Sequence, residues 1–370
     1  MPTFQILHIS DLHINTKDVF DTSIVLNPFL ERLKEDKSES GLAPEIVVVT
    51  GDVACNGDEK EYELAKEFFD KLLSTLGLTS DRLFIVPGNH DLKRTKLKMS
   101  STWNFETMKE VNDLLEDTDT RKELLKDLDM YFSFIEENYK HLKSFHDGLV
   151  PFVKNYHAAC GKRIGLVGVN SAWVGKKSPF EGKMIIADYQ MEKANEELQQ
   201  SGNADLTLNI FHHPLDYLWD ESRSACMKYF NDNVLLTGHF HGGVESGFYD
   251  DLQGQYYHFK AGGLYIGSES EQPNRFQYIT FDWNKNEIRI NFRKFVKEER
   301  AWRPESEKGK DGVKRFPLHI RRGDVKDIHP EVIPEIPDSY KNWISTHCKK
   351  MDIDKLVDTK DNELISLTLP

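Results

Sequence analysis

Five short clusters combine carboxylate, amide and imidazole side chains: Asp11-x-His13, Gly51-Asp52, Gly88-Asn89-His90-Asp91, His212-His213-Pro214 and Gly238-His239-Phe240-His241. Oxygen and imidazole donors of these kinds are hard to borderline ligands for divalent cations. Glycine precedes the donors in three clusters, which suits a backbone turning sharply beneath an ion. Singly, none is telling. His13 or His212 alone fits a packed or surface histidine, Asp52 a turn residue, and His239-x-His241 a strand edge. Together, in one order and each after an apolar run, they point to a metal site.

The elements that must carry these donors are legible as runs. Phe4 to Ile9 opens the chain as an apolar strand, whose period of two lets Asp11 and His13 point the same way. Glu45 to Thr50 is a β-branched strand, and Arg82 to Pro87 is a third. A helix is expected near Val25 to Lys37 and another over Asp58 to Leu76, where Tyr62, Ala65, Phe69 and Leu72 share one face. Alternating strands and helices predict parallel α/β layering, with functional groups at the carboxyl ends of the strands. Asp11, Asp52 and Asn89 fall there.

After Asp91 the strand pattern lapses until Arg163 to Val169. Leu124, Leu128, Tyr131 and Ile135 form a helical stripe in the interval, so residues 93–150 are expected to form a helical insertion packed on the sheet and placed to cap the site. Further strands are expected at Leu206 to Phe211, Asn233 to Thr237, Gln255 to Ala261, Arg275 to Trp283 and Glu287 to Val296. The last two read as a hairpin, which predicts more antiparallel pairing in the second half and a β-sandwich with helices outside. The main domain is therefore expected over 1–298. Residues 299–370 read as a polar C-terminal extension, with a proline-rich linker at Pro330 to Pro337 and a short helix at Ser339 to Lys350.

Composition narrows the class. The 370 residues are 39% hydrophobic and 29% charged, as in ordinary globular proteins. No apolar run approaches the roughly 20 residues that span a bilayer. The chain enters a strand directly with no basic segment before it, so neither a membrane span nor a secretory signal is expected. Four cysteines (Cys55, Cys160, Cys226 and Cys348) lack Cys-x-x-Cys spacing, which predicts reduced thiols and a cytoplasmic location. A net charge of −13 argues against a broad basic face for duplex DNA, and bound divalent cations would offset part of it.

The ordered series Asp-x-His, Gly-Asp, Gly-Asn-His-Asp, His-His-Pro, Gly-His-x-His resembles the calcineurin-like metallophosphoesterases over about residues 3 to 296. The resemblance implies an α/β fold, a four-layer α/β/β/α sandwich, that holds two divalent metal ions. Position by position, it implies that Asp11, His13 and His241 hold one ion, that Asn89, His212 and His239 hold the second, and that Asp52 bridges them. His90 matches the histidine that donates to the phosphate or the leaving oxygen, and Asp91 would orient its ring. His213 would stand behind the ligands or simply pack, and Cys55 would be a small buried neighbour. The Gly-Asp cluster continues Val53-Ala54-Cys55-Asn56-Gly57, without the further aspartate or the tyrosine ligand of some branches. That moves the Ser/Thr protein phosphatase and purple acid phosphatase branches out of first place.

Two cations about 3.5–4 Å apart can share a hydroxide that attacks phosphorus in line, while both neutralise the non-bridging oxygens. Protonation of the departing alkoxide by His90 would add about 10²–10⁴-fold. The histidine-rich donor set favours Mn, Fe, Zn or Ni over Mg, manganese first. The expected activity is a phosphodiesterase acting on cyclic nucleotides or other phosphodiesters. The alternative is a DNA or RNA nuclease, for which Lys93, Arg94, Lys96 and Lys98 would supply a local basic groove rather than a solvated helix start. The segment from Pro337-Asp338-Ser339-Tyr340 through Trp343 and Met351-Asp352-Ile353 resembles the connector before the nucleotide-binding oligomerisation domain of bacterial STAND and NACHT-type defence proteins. That implies oligomerisation, or a fused NTPase module, through the C-terminal extension. A tail helix docked on its own domain is the plainer reading. A non-catalytic metal scaffold is disfavoured by the presence of His90 and Asp91.

Overall fold

The computed structural model describes residues 3–93, 105–174, 182–230, 233–241, 247–251 and 254–318. Met1–Gly323 forms one compact unit and Asp324–Pro370 a second. The expected C-terminal linker and helix, and Arg94, Lys96 and Lys98, lie outside the described residues.

Two sheets form the centre. In the first, β1 (Thr3–Ile9) pairs in parallel with β2 (Ile46–Val49), and β2 pairs in parallel with β3 (Leu83–Ile85) at the edge. On its other side β1 pairs antiparallel with β10 (Arg275–Asp282), which forms the expected hairpin with β11 (Glu287–Val296). In the second sheet, β5 (Arg163–Gly168), β6 (Leu206–Ile210), β7 (Asn233–Thr237) and β9 (Gly254–Lys260) run parallel. Antiparallel strands β4 (Phe152–His157) and β8 (Gly247–Asp251) finish its edges. The centre of the second sheet is therefore parallel, and antiparallel pairing is confined to its edges and to the returning strands of the first.

The sheets face each other, as the Phe4 ring of β1 meets Tyr156 of β4 at 5.7 Å between centroids. Helices cover both outer faces. Phe29 of α1 (Val19–Ser40) packs edge-on against Phe276 of β10 at 4.8 Å. On the other side, Phe230 of α7 (Asp220–Phe230) stacks on Phe211 just beyond β6. With α2 (Glu59–Leu76) beside α1 and α6 (Asp188–Gln200) beside α7, the order is helix, sheet, sheet, helix. Fully buried Phe4, Ile6, Ile9, Ile46, Val48 and Val49 explain why the first strands read so clearly, since both faces are covered.

The insertion after Asp91 folds as α3 (Met108–Glu116), α4 (Thr118–Leu125) and α5 (Asp129–Asn138). Tyr131 of α5 donates to the Ile85 carbonyl at 2.9 Å, and His141 Nε2 lies 2.8 Å from the Leu83 carbonyl. These contacts satisfy carbonyls of edge strand β3 that would otherwise template a further strand. Leu128, Tyr131 and Ile135 of the expected stripe are buried.

The expected boundary at 298 moves outward. Both β12 (Ala301–Pro304) and β13 (Val313–Pro317) pair with β11, inside the unit that ends at Gly323. Their polar edge sequence hides them. Trp302 is the anchor, 1% exposed, with its indole N–H donating to the Val25 carbonyl at 3.0 Å.

Candidate metal centre

Because β1, β2 and β3 are parallel, their carboxyl ends lie along one edge, and those of β6 and β7 likewise along the edge of the second sheet. The five donor clusters leave from those ends. The loop after β1 is pinned on the loop after β2: Asp11 N–H donates to the Gly51 carbonyl at 3.1 Å. Leu12 and His13 N–H both donate to the Asp52 carbonyl, at 2.9 and 3.0 Å. Asp11, His13, Asp52 and His239 all have positive φ, at 51°, 43°, 52° and 67°. Such backbone costs on the order of 1 kcal/mol or more per non-glycine residue and gathers where function requires it. Gly51, at φ 96°, is required for another reason: a Cβ there would sit 2.6 Å from His212 Nδ1.

Two donor groups meet around Asp52. In the outer group, His241 Nε2 lies 3.1 Å from both Asp11 Oδ1 and His13 Nε2, and His13 Nε2 is 3.7 Å from Asp11 Oδ1. In the inner group, His212 Nε2 lies 3.1 Å from Asn89 Oδ1 and 3.1 Å from His239 Nδ1. Asp52 Oδ2 is 3.9 Å from His13 Nε2 and 3.4 Å from His212 Nε2, so one oxygen faces both groups. Asp52 Oδ1 accepts the His90 N–H at 2.7 Å.

The donor chemistry fits cations. His212 Nδ1 is committed as a donor to the Thr50 carbonyl at 2.7 Å, which leaves Nε2 as a lone pair in the neutral ring. That lone pair faces Asn89 Oδ1, Asp52 Oδ2 and a His239 ring nitrogen. Convergent lone pairs in a dry pocket repel unless positive charge sits among them. Protonation shows the same demand. Burial depresses the His212 imidazole, yet the charge and hydrogen bond of Asp52, followed by Asp11, carry its pKa up to about 9. Burial would raise Asp11 and Asp52, but the surrounding imidazoles hold both carboxyls below the usual range. For His241, burial is outweighed by the Asp11 hydrogen bond and charge, and its pKa rises. Burial depresses His13 and His239 to about 4, the crowding by His212 adding to the effect at His239.

The structure brings all seven expected ligand residues and His90 together. The His90 ring packs edge-on against His13 at 4.5 Å between centroids. Asp91 is different from expectation. His90 Nδ1 faces the Cys55 carbonyl at 3.1 Å, so a backbone oxygen orients the ring. The fully buried Asp91 carboxylate instead accepts from the N–H groups of Gly88, Ala54 and Val53 at 2.8, 2.9 and 3.3 Å, and from the Tyr62 hydroxyl at 3.0 Å. It clamps the β2 and β3 loops to each other and to α2. Burial, then the charge of Asp52, push its pKa up to about 7 against those donors.

His213 is 2% exposed, with Nδ1 2.9 Å from Ser171 Oγ and its ring against those of His212 and His239. Reasoning by residue type could not find the Thr50 and Cys55 carbonyls, because they are backbone atoms. Tyr217, edge-on to His239 at 4.6 Å, was also missed, and its place three residues beyond Pro214 was the available signal.

Facing α/β layers with oxygen and imidazole donors converging at the strand ends form a site suited to divalent cations. Residues 4–243 match the calcineurin-like phosphoesterase family, and the chain belongs to it. It is 25% identical over 243 residues to YydB, a metallophosphoesterase-like protein of Bacillus subtilis (strain 168), a match covering 64% of this chain and 48% of that protein. It is 34% identical over 95 residues to the cAMP/cGMP dual specificity phosphodiesterase MT0825 of Mycobacterium tuberculosis (strain CDC 1551 / Oshkosh), covering 24% of this chain and 28% of that one. The chain thus spans less than half the length of either relative. The solved purple acid phosphatase PPD1 from yellow lupin (Lupinus luteus) seeds superposes with a TM-score of 0.50 at 10% identity, over 85% of this chain and 54% of that chain. At that identity the likeness is one of fold. No helix among the described residues is long and apolar enough to cross a membrane.

Proposed function

We propose that the chain is a phosphodiesterase that uses two divalent metal ions to hydrolyse cyclic nucleotides or other phosphodiesters. Asp11, His13 and His241 would hold one ion, Asn89, His212 and His239 the other, and Asp52 would bridge. The observation that carries this is the single Asp52 oxygen set between two separate groups of converging donors. Bound cations of this kind supply Lewis acidity and an acidified water.

The chain's own residues do the rest. Asp52 holds the His90 backbone through its second oxygen, which fixes the ring relative to the donors. The Cys55 carbonyl accepts the Nδ1 proton of His90, leaving Nε2 as the nitrogen that holds or delivers a proton at the leaving oxygen. Asp91 and Tyr62 keep the loops beneath from shifting. The partial match to a cAMP/cGMP phosphodiesterase supports a diester substrate. Manganese is the first metal to test.

The test is elemental analysis of manganese-reconstituted protein, followed by a panel of bis-p-nitrophenyl phosphate, p-nitrophenyl phosphate, cyclic AMP, cyclic GMP, and single- and double-stranded DNA. The expected outcome is two ions per chain and diesters cleaved faster than the monoester. Metal-loaded protein that cleaves no diester sinks the proposal. Cleavage of DNA alone, with steep salt dependence of binding, would instead favour the nuclease reading.

A further inference from the structure

Among the described residues, the large apolar side chains left exposed are Val19, Phe20 and Phe240. A lone exposed phenylalanine is ordinary on a protein surface. Phe240 is set apart by its place: it is 41% exposed and lies between His239 and His241, about 3.8 Å along the chain from each Cα. Its N–H donates to the Gly238 carbonyl at 2.8 Å, which holds this turn tightly between the two histidines. A second aromatic residue stands at the same ligand, for the Tyr217 ring meets His239 edge-on at 4.6 Å.

Tyr217 is firmly placed. Its carbonyl accepts the N–H groups of Lys183 and Met184 at 3.1 and 2.9 Å, and neighbouring Asp216 pairs with Lys260 at 3.3 Å. His90 lies against His13, by the outer donor group. Tyr217 lies against His239, in the inner group, and Phe240 follows that histidine in the chain. The two sides of the site thus differ in kind: one offers a proton-carrying imidazole, the other flat apolar surface.

We propose that Phe240, next in the chain to the His239 that Tyr217 packs against, is a specificity-determining residue that stacks on a planar base. The site would thereby select nucleotide phosphodiesters over those of glycerol, choline or a bare sugar. This inference rests on the phosphodiesterase reading for its reaction and on the exposed aromatic ring for its selectivity. A ring already held at the rim loses little freedom on binding, and a nucleobase presents a π-face to it whatever its hydrogen-bonding edge.

The test is calorimetric titration of manganese-loaded protein with AMP and, as the matched probe without a base, ribose 5-phosphate. The wild-type chain is expected to bind AMP about tenfold more tightly than ribose 5-phosphate. Phe240→Leu should abolish that difference by weakening AMP alone, and Phe240→Trp should keep it. Metal content should be equal in all three. Equal affinity for the two probes in wild type, or AMP binding unchanged in Phe240→Leu, overturns the proposal. So does a Phe240→Leu chain that changes oligomeric state while keeping its AMP affinity, which would assign the ring to a contact between copies. If the base preference is present and lost in Phe240→Leu but no diester is cleaved, the selectivity stands and the assigned reaction falls. Diesters cleaved without any base preference give the reverse.

Discussion

Around Asp52 the two donor groups differ in depth. The inner group has His212 fully enclosed and Asn89 3% exposed, with His239 half-buried, whereas the outer group has buried Asp11 beside a His241 side chain 38% exposed and a His13 side chain 12% exposed. The inner ring is oriented by a backbone carbonyl, Thr50, which no side-chain substitution removes. The outer ring of His241 is oriented by Asp11, whose other oxygen accepts the His239 N–H at 3.0 Å. A buried, backbone-oriented donor set holds a cation in fixed geometry, and an exposed one exchanges with solvent. The difference teaches that His212 is fixed by the framework of the fold, while His241 depends on a side chain and stands closer to solvent.

Removing the shared carboxylate tests the comparison most severely. Asp52→Asn should lower turnover by on the order of 10³-fold or more and reduce bound metal below two per chain. Full metal content with full turnover would break the bridging assignment. His90→Ala comes next: turnover should fall about 10²–10⁴-fold while elemental analysis still finds both ions. Metal titration sharpens the depth contrast. His241→Ala should weaken one ion by about 10–100-fold and leave the tighter one in place, and loss of both ions together would show that the groups are not independent.

Asp91→Asn should behave as a framework change. It is expected to cost about 1–3 kcal/mol of stability in denaturant melts with little effect on the turnover of folded protein. A loss of turnover like that of His90→Ala at unchanged stability would restore Asp91 as the partner of His90. The smallest effect is on pH. In metal-free protein the His212 pKa is raised from 6.5 to about 9, so its contribution to stability is full below about pH 6.5 and is lost as pH rises toward 9. Chelated protein should therefore melt at lower temperature at pH 9 than at pH 6.5, and metal should diminish that difference. A melting temperature indifferent to pH over this window would count against the enclosed charge at His212.

Strands β1, β2 and β3 were readable because each is an apolar run buried on both faces, with a donor following directly. The start of α1 was less so: the helix begins at Val19 rather than near Val25, because the exposed Val19 and Phe20 carry no periodic signal. Strand β4 was hidden by the polar pair Lys154 and Asn155, which interrupts the apolar pattern of a strand at the sheet edge. Strands β12 and β13 were hidden in the same way, with Trp302 the main apolar cue. Helices α6 and α7 passed unrecognised because their buried positions mix polar and apolar types, Gln190 with Met191 in α6 and Ser222 with Phe230 in α7, so no apolar stripe stands out.

Residue type and order alone determined the donor set: carboxylates, an amide and imidazoles after apolar strands have a coordination chemistry that no folding detail alters. Tertiary structure decided which donors converge, since residues as distant as Asp11 and His241 meet through sheet pairing. It also decided the fate of neighbours. His90 and Asp91 are adjacent in the chain, yet one turns to the donors and the other to backbone amides beneath. Which hydrogen bonds a buried carboxylate finds depends on the loops packed around it, and those loops exist only once both sheets have formed.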